Sequence, residues 1–234
     1  MKLQHKDMKK SRMVRYFIDA FKMLALQKPT QSITLREVAD AAGFNSATLY
    51  NYFKNMDQLI AWSLLDCMTD IWIDTSAEEA VSDDPLYQYL LTWKNQCLHG
   101  FSNPYLFITF FVSSSKDAIY AQVEAFLSVF PEKKKRLSER FHRLLFQTDF
   151  TKKNQDYLIP CIQQGYLSIN DRAAFMDAGD ILFGGMLLQV LKRPADERNA
   201  RIDARRFFNQ LRSTLHPYLL KGESAFDLIL SQLQ

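Results

Sequence analysis

Apolar residues near the start of the chain recur every three or four positions, which is the spacing of one face of an α-helix. The first apolar stripe comprises Val14, Phe17, Ile18, Phe21, Leu24 and Ala25. The helix is expected to stop at Lys28, because a residue before a proline avoids the helical region. A second, shorter stripe follows, with Leu35, Val38, Ala39 and Ala42. The pattern predicts a long helix followed by a short one.

Local residue types mark where the short helices begin and end. Thr34 and Glu37 have the spacing of a capping box, in which each side chain bonds the backbone N–H of the other. Gly43 suits the left-handed residue that often follows a helix, and Asn45 is a strong N-cap for a third helix. Two short capped helices joined by residues 43–45 match a helix-turn-helix, whose second helix enters the DNA major groove.

The predicted third helix has a small apolar face and a large polar one. In the segment NSATLYNYF, residues 45–53, Leu49 and Phe53 are four residues apart and share an inward face. The hydroxyl and amide groups elsewhere on its surface suit base edges and phosphates, which hydrogen-bond readily. A polar, solvated surface of an ordinary helical bundle is the alternative interpretation.

Helical patterns continue along the chain. A fourth helix is predicted over residues 57–74, and an acidic connection over residues 75–84 leads to Pro85, which suits the first turn of a helix. The chain has only seven glycines and seven prolines, and long segments without either favour long helices over strands. The sequence therefore predicts an all-α fold.

Aromatic residues are concentrated in residues 86–130, where eleven of 45 positions are Phe, Tyr or Trp. Most of them are expected to pack in the core. A helical bundle that encloses a small-molecule site also needs broad apolar walls with a few polar groups, for which Asn95, Gln96, His99 and Thr109 are candidates. The residues assigned to this site are Trp93, Cys97, Phe101, Tyr105, Phe107 and Phe110.

The C-terminal third contains an apolar segment, DAGDILFGGMLLQVL, over residues 177–191. Each of its three glycines costs a helix interior about 1 kcal/mol relative to alanine, so close approach by another helix is expected there. An amphipathic helix follows Pro194, with apolar residues that include Phe208, Leu211 and Leu215. A helical hairpin that closes the chain's own core is the alternative to an interface with a second chain.

Basic residues are unevenly distributed. Residues 1–60 contain ten Lys or Arg and five Asp or Glu, whereas the whole chain of 234 residues contains 29 and 26. The net charge of +3 therefore originates in the N-terminal part, which suggests a polyanionic partner there; a solvated basic face is the alternative. The run Lys133–Arg136 is interpreted as a solvated helix face.

Several function classes lack the residues that they require. The four histidines show no paired metal-ligand spacing, and no glycine-rich phosphate loop or G-x-S-x-G turn occurs. The three cysteines lie far apart in apolar patterns, which favours buried thiols over disulfides. No secretory signal and no apolar run of about 20 residues is found. We therefore expect a cytoplasmic protein that is not an enzyme, does not enter a membrane, and uses no cofactor or metal.

The segment ITLREVADAAGFNSATLYNYFKNMDQLI, residues 33–60, resembles the DNA-binding signature of the tetracycline-repressor (TetR) family of bacterial transcription regulators. The resemblance implies base contacts from Ser46, Ala47, Tyr50 and Asn51. It implies phosphate contacts from Thr34, Thr48, Tyr52 and Lys54, and Asn45 is assigned to the same site. Met56 departs from the family pattern, which has a lysine that touches the DNA backbone there. Loss of this cation is expected to weaken DNA binding, unless Lys54 or the N-terminal lysines replace the phosphate contact.

The resemblance also implies a division of labour along the chain. Residues 1–56 are expected to form a three-helix DNA-binding domain, and residues 57–234 a larger helical bundle for ligand binding and dimerisation, entered through residues 57–74. By the same resemblance, the last two long helices pair with their copies in a homodimer. The interface residues assigned on this basis are Gly184, Gly185, Leu188, Phe208, Leu211 and Leu215.

The function expected from these features is a repressor that binds a near-palindromic double-stranded operator and is released by a small hydrophobic or aromatic effector. The alternative is a helical DNA-binding protein whose C-terminal domain only dimerises or binds a protein partner. No role is assigned to residues 223–234.

Overall fold

The computed structural model describes residues 2–112, 116–146 and 158–233, and the regular structure of these residues is helical throughout. The helices before residue 113 are α1 (Lys2–Ala25), α2 (Leu35–Ala41), α3 (Ser46–Tyr50), α4 (Met56–Glu78), α5 (Pro85–Ser102) and α6 (Pro104–Val112). The later helices are α7 (Lys116–Tyr120), α8 (Val123–Val129), α9 (Pro131–Arg136), α10 (Glu139–Phe146), α11 (residues 158–163), α12 (Arg172–Val190), α13 (Glu197–Leu215) and α14 (Glu223–Gln232). The predicted all-α class is confirmed.

The first three helices follow the sequence signals closely. Thr34 caps α2: its hydroxyl oxygen accepts from the backbone N–H of Glu37 at 3.2 Å, while the Glu37 carboxylate accepts from the N–H of Thr34 at 2.8 Å. Gly43 has φ of 78°, the left-handed conformation that follows α2. The side-chain oxygen of Asn45 accepts from the N–H of Thr48 at 2.8 Å and caps α3. Every predicted cap is therefore present.

The apolar stripe of α1 is confirmed except at one position. Val14, Phe17, Ile18 and Phe21 are completely buried, and Ala25 is nearly so, whereas Leu24 is half-buried. Phe17 is the centre of this small core, because its ring contacts Phe44 at 5.6 Å and Phe53 at 6.3 Å between centroids. The aromatic contacts hold α1 against the helix-turn-helix.

α4 continues four residues beyond the end predicted for it, from Asp74 to Glu78. The hydroxyl of Thr75 donates to the backbone carbonyl of Ile71 at 2.7 Å, and Ser76 donates to Trp72 in the same way. These bonds satisfy the polar side chains within the helix, so a hydroxyl-rich segment need not become a loop. Pro85 opens α5 as predicted, and Asp84 caps this helix.

The chain divides into two compact units. Unit 1 comprises Met1–Asp70 and Tyr105–Phe146, and unit 2 comprises Ile71–Pro104 and Gln147–Gln234. α4 contributes residues to both units. The domain boundary expected at residue 57 concerns which residues bind DNA, not which residues pack together, and it stays a prediction.

Unit 2 is organised around α5, which packs against α12, α13 and α14. α14 closes this core with Phe226 and Ile229, both completely buried. Its end is fixed by Gln232, whose side-chain nitrogen donates to the hydroxyl of Tyr87 at 3.0 Å. The segment of residues 223–234, for which the sequence indicated no role, therefore stabilises the C-terminal core.

One helical stretch, Ile169–Val190, is long and apolar enough to cross a membrane by length and composition, with a mean hydropathy of 1.3. A third of its most apolar window is buried in the chain. A single helix of this kind is weak support for a membrane span, because core helices have the same composition.

Candidate DNA-binding, effector and dimer sites

α3 presents its polar residues outward. Leu49 and Phe53 are completely buried, as predicted, whereas Tyr50 is 58% exposed. Ala47 and Asn51 are also exposed, and Ser46 is half-buried. The burial of two apolar residues thus fixes a helix of five residues, which is too short to be stable alone in water. Its outer face remains available for a ligand.

The two threonines assigned to phosphate contacts use their hydroxyl protons within the chain. Thr34 donates to the carboxylate of Glu37 at 2.9 Å, and Thr48 donates to the side-chain oxygen of Asn45 at 3.0 Å. A hydroxyl has a single proton, so each threonine would have to release its partner before donating to a phosphate. Lys54 is exposed and carries its charge at the end of the helix-turn-helix.

Glu37 links the capping box to the segment that follows α1. The ammonium of Lys28 donates to the Glu37 carboxylate at 2.5 Å. This hydrogen bond, together with those from Thr34, lowers the pKa of Glu37 to about 2. The start of α2 is therefore held by an ionised carboxylate that serves both as a capping residue and as the ion-pair partner of Lys28, just after α1.

Met56 is the first residue of α4 and is half-buried. The helix start around it is capped by its neighbours: the side-chain oxygen of Asn55 accepts from the N–H of Gln58 at 2.9 Å. In return, the side-chain oxygen of Gln58 accepts from the N–H of Lys54 at 2.8 Å. The sequence analysis missed this reciprocal cap, although Asn at position 55 with Gln three residues later carried the signal.

A buried ion cluster lies in unit 1. Asp66 of α4 is 1% exposed, and its carboxylate accepts from Arg15 at 2.6 Å and Lys22 at 3.0 Å, both on α1. Lys133 of α9 pairs with the same carboxylate at 2.9 Å and with Asp70. Burial alone would raise the pKa of Asp66, but the three cations outweigh it and hold that pKa well below its usual range.

Lys133 corrects one sequence interpretation. The run Lys133–Arg136 was expected to be a solvated helix face, but Lys133 is buried. Its ammonium forms ion pairs that join α9 to α4. The ring of Phe130, just before α9, lies 4.4 Å from the guanidinium of Arg15. A run of four cations suggests a solvated face because nothing in the sequence marks which member turns inward.

A second contact in unit 1 joins α6 to the turn before the helix-turn-helix. The hydroxyl oxygens of Thr30 and Thr109 are 2.6 Å apart, and Thr30 is buried. Thr109 donates its own proton to the backbone carbonyl of Tyr105 at 2.9 Å, so Thr30 is the donor between the two hydroxyls. α6 also carries Phe107 and Phe110, which the sequence assigned to an effector site.

The six residues assigned to the effector site are divided between the two units. Trp93, Cys97 and Phe101 belong to unit 2, while Tyr105, Phe107 and Phe110 belong to unit 1. Those in unit 2 are buried within a set of packed rings. The centroid of Trp93 is 5.3 Å from Phe207, and the ring of Phe101 stacks on Phe183 at 5.4 Å. Their contacts in unit 2 are those of a packed core.

Two of the polar candidates of the aromatic segment lie in a different part of unit 2. Asn95 and His99 line a cleft of about 690 Å³ with the ends of α4 and α13. The buried ammonium of Lys94 pairs there with Glu78 and donates to Gln232 at 3.0 Å. His99 bonds the carboxylate of Asp74 at 2.8 Å. These charged groups are paired with one another, so none of them requires a bound ligand to balance its charge.

The residues assigned to the dimer interface fall into two groups. Phe208, Leu211 and Leu215 are completely buried inside the chain, where α13 packs on α5. Their side chains cannot reach a second chain, and this corrects their assignment to the interface. Gly185 and Leu188 of α12 are exposed, and Gly184 is half-buried. Only the α12 group lies where a second chain could contact it.

The remaining candidates for chemistry are the cysteines and possible metal ligands. All three cysteines are buried, and burial raises the pKa of Cys67 to about 11. Among the residues that the structure describes, no three His, Cys, Asp or Glu side chains are grouped so that they could hold a metal ion.

The fold and the exposed polar face of α3 define a helix-turn-helix DNA-binding protein. Residues 17–61 match the sequence profile of the bacterial regulatory proteins of the tetR family. This match assigns a TetR-type DNA-binding domain to the N-terminal part of the chain. A comparison with curated proteins finds no significant match.

Solved structures of similar fold cover nearly the whole chain. RolR without ligand has a TM-score of 0.51 at 14% identity, covering 93% of this chain and 96% of its own. RolR in complex with resorcinol has a TM-score of 0.52 at 15% identity, covering 97% of both chains. A protein from Mesorhizobium loti assigned to the TetR family has a TM-score of 0.51 at 12% identity, covering 90% of this chain and 98% of its own. At such identities the likeness concerns the fold.

Proposed function

We propose that the protein is a homodimeric transcriptional repressor of the cytoplasm, which binds a near-palindromic operator and is released from it by a small, mostly apolar effector. The observation that carries DNA binding is the arrangement of α3, whose apolar residues Leu49 and Phe53 are buried while Tyr50 is 58% exposed. Such a helix has a polar face that fits base edges in the major groove. In this proposal residues 1–56 bind DNA and residues 57–234 regulate that binding.

The proposed DNA contacts follow from exposure and hydrogen-bond capacity. Ser46, Ala47, Tyr50 and Asn51 meet the bases, while Lys54 and Tyr52 meet the phosphates. Thr34 and Thr48 contribute only if their hydroxyl protons leave Glu37 and Asn45. Asn45 acts mainly as the N-cap that keeps α3 in place.

Two observations support a small aromatic effector. RolR, which shares the fold, has been crystallised with resorcinol, a small phenol. Within unit 1, α6 carries Tyr105, Phe107 and Phe110 and is also hydrogen-bonded through Thr109 to the turn before α2. An effector that contacts the aromatic side chains of α6 would therefore displace a helix that is hydrogen-bonded to the turn just before the helix-turn-helix.

The energy required for such coupling is modest. A hundredfold fall in operator affinity needs about 2.7 kcal/mol of preference of the effector for the DNA-incompetent arrangement. α4 offers a second route, because it starts at the helix-turn-helix and continues into unit 2 without a break. Tilting α4 would change the spacing of the two recognition helices in a dimer.

The experiment that tests the proposal combines both ligands. The purified protein is titrated onto labelled DNA from immediately upstream of its own coding region, and onto scrambled DNA, at physiological salt. Resorcinol and related phenols are then added, and their binding is measured separately by calorimetry. Equal affinity for both DNAs would contradict the proposal that the protein binds a specific operator sequence. Binding of a phenol without any change in operator affinity would contradict the coupling.

A second candidate function remains supported by one observation. Trp93 and Phe101 are packed against other rings of unit 2, so this part of the assigned effector site is accounted for by core packing. A C-terminal domain that only dimerises, or binds a protein partner, requires this packed core but no effector site. Operator binding that no small molecule alters would favour this function.

A further inference from the structure

The first half of α1 carries cations that have no partner among the described residues of the chain. Residues 1–60 contain ten Lys or Arg, and those that pair with carboxylates are Arg15, Lys22, Lys28 and Arg36. The α1 cation group, defined as Lys9, Lys10 and Arg12, is exposed and forms no ion pair with a residue that the structure describes. Together with Lys54, these three are the cations among the described side chains of residues 1–60 that remain available to an outside anion.

A contact between α1 and the turn before α3 shows where the α1 cation group lies. The ring centroids of Tyr16 and Phe44 are 6.1 Å apart, and Phe44 immediately precedes the N-cap of α3. Arg12 precedes Tyr16 by four residues and Lys9 precedes it by seven, so all three share one face of α1. Residues one turn apart on such a face have Cβ atoms about 5–6 Å apart. Arg12 therefore lies one helical turn from a contact that adjoins the start of α3.

Lys10 lies on the face of α1 that packs against the helix-turn-helix. Phe17, seven residues later on the same face, contacts Phe44 and Phe53, which lie just before and just after α3. Lys10 itself is exposed, because the buried apolar stripe of this face begins at Val14. The face therefore changes from apolar to basic where α1 extends past the packed helices.

The width of the DNA major groove determines what the α1 cation group can reach. The groove is about 12 Å wide, and an α-helix with its side chains is about 10–12 Å across, so α3 alone fills it. A second helix beside the start of α3 is then kept away from the base edges and meets the phosphate backbone at the edge of the groove. Lysine and arginine bind phosphates both as charges and as hydrogen-bond donors. The position and the charge of the group therefore indicate the same ligand.

We propose that Lys9, Lys10 and Arg12 bind phosphates of double-stranded DNA beside the bases that α3 reads. The inference rests on the proposed function and adds a second element of the chain to the DNA contact. Met56 follows the end of α3, whereas Arg12 lies near its start, so the α1 cation group supplies charge at the opposite end of α3 from the missing lysine. Phosphate contacts release counterions and strengthen binding to any DNA sequence, so the group contributes affinity without sequence discrimination.

The inference is tested by removing these charges and measuring, by fluorescence anisotropy, how DNA affinity depends on salt. Arg12→Gln should make the slope of log affinity against log salt shallower by about 0.9 for each bound subunit, because one phosphate contact is lost. For a dimer, the advantage of the wild type over this variant should shrink about twelvefold between about 50 and 200 mM salt. Operator and scrambled DNA should be affected by the same factor. The triple variant Lys9→Gln/Lys10→Gln/Arg12→Gln should have a shallower slope still.

Two matched variants separate the effect of charge from an effect on folding. Lys135→Gln removes an exposed charge from α9, which also belongs to unit 1, and should leave the salt slope unchanged. Arg12→Lys keeps the charge and should keep the slope. If Arg12→Lys makes the slope as shallow as Arg12→Gln does, Arg12 acts through the structure of α1 and the inference is wrong.

The remaining outcomes distinguish the inference from the proposed function. An unchanged slope in the triple variant, with operator binding intact, overturns the inference and leaves the proposed function standing. A loss of affinity confined to the operator also overturns it, because the cations would then contact bases. A wild type that binds operator and scrambled DNA alike contradicts the proposed operator, while a shallower slope in Arg12→Gln on both DNAs would still support the phosphate contact. A wild type that binds no DNA overturns both.

Discussion

Gly179 lies against the indole of Trp93 so closely that a Cβ built on the glycine would be 2.6 Å from Cζ2 of the ring. The contact joins α12 to α5 in the middle of unit 2. It explains why α12 has a glycine at a buried position despite the conformational cost of glycine in a helix. It also holds the ring of Trp93 in the packed core. Core packing therefore accounts for this side chain, which the sequence assigned to the effector site.

The first prediction compares two glycines of the same helix. Gly179→Ala should destabilise the fold by about 1–3 kcal/mol, because its methyl group requires the indole of Trp93 to move. Gly185→Ala should instead stabilise it by about 0.5–1 kcal/mol, since its Cβ has open space and alanine is the better helix former. Denaturant unfolding at one protein concentration measures both. Equal effects of the two substitutions would argue against the packed position of Trp93.

The second prediction concerns base contacts. Tyr50→Ala should reduce operator affinity by about 1–3 kcal/mol and leave binding to scrambled DNA nearly unchanged, because the side chain is exposed and makes no core contact. Fluorescence anisotropy with both DNAs measures the difference. Met23→Ala, at an exposed position of α1, serves as the control. An equal loss on both DNAs would assign Tyr50 to the backbone instead.

The third prediction concerns the departure at Met56. Met56→Lys should tighten binding to operator and scrambled DNA alike and steepen the dependence of affinity on salt by about one phosphate contact. The capping bonds of Asn55 and Gln58 do not involve the Met56 side chain, so the helix start is preserved. An unchanged salt slope would mean that the side chain at position 56 does not reach a phosphate.

The fourth prediction concerns the buried ion cluster. Asp66→Asn should destabilise the protein by about 3–5 kcal/mol, because it leaves Arg15, Lys22 and Lys133 without the carboxylate that they surround. Adding Lys133→Met should recover part of this loss by removing one buried cation that keeps only Asp70 as an ion-pair partner. Lys135→Met, on the exposed side of α9, should recover nothing. Urea unfolding of the four proteins provides the comparison.

The fifth prediction is a pH dependence. The folded-state pKa of Glu37 is lowered from 4.5 to about 2 by Lys28 and Thr34, so the stability that its carboxylate contributes is fully present above pH 4.5 and is lost as the pH falls through 2. Glu37→Gln keeps an acceptor for the capping box but removes the charge. Thermal unfolding should show the wild type more stable than this variant at pH 6, with the difference vanishing near pH 2. A constant difference across this range would exclude the ion pair with Lys28 as its cause.

The N-terminal helices were predictable because their signals are local. Thr34 with Glu37, Gly43, and Asn45 each act on backbone groups within a few residues, so a short stretch of sequence contains all partners of the interaction. The cap at Asn55 was missed although it is equally local. Asn55 lies just before a helix that was assigned from its apolar spacing, and Gln58 lies in the first turn of that helix.

The C-terminal part was less predictable because periodicity shows that a helix face is buried without showing what buries it. Phe208, Leu211 and Leu215 form a stripe that a second chain could cover equally well, but α5 of the same chain covers it. The inward turn of Lys133 depends on Asp66, which is 67 residues away in the chain. Such pairs are fixed by tertiary packing, for which a single sequence gives no distance information.

The hydrogen bond from Thr30 to Thr109 has a consequence for protein engineering. The position of α3 near the N-terminus suggests that the DNA-binding helices can be transplanted as a short N-terminal fragment, here called the head and taken as residues 1–70. In this chain the head packs with residues 105–146, through Thr109, Gln122 and Lys133. A chimera that takes the head without these residues would leave the hydroxyl of Thr30, the indole nitrogen of Trp62 and the carboxylate of Asp66 facing foreign surfaces. The transplantable module is therefore discontinuous in sequence, and a working hybrid has to import both of its segments together.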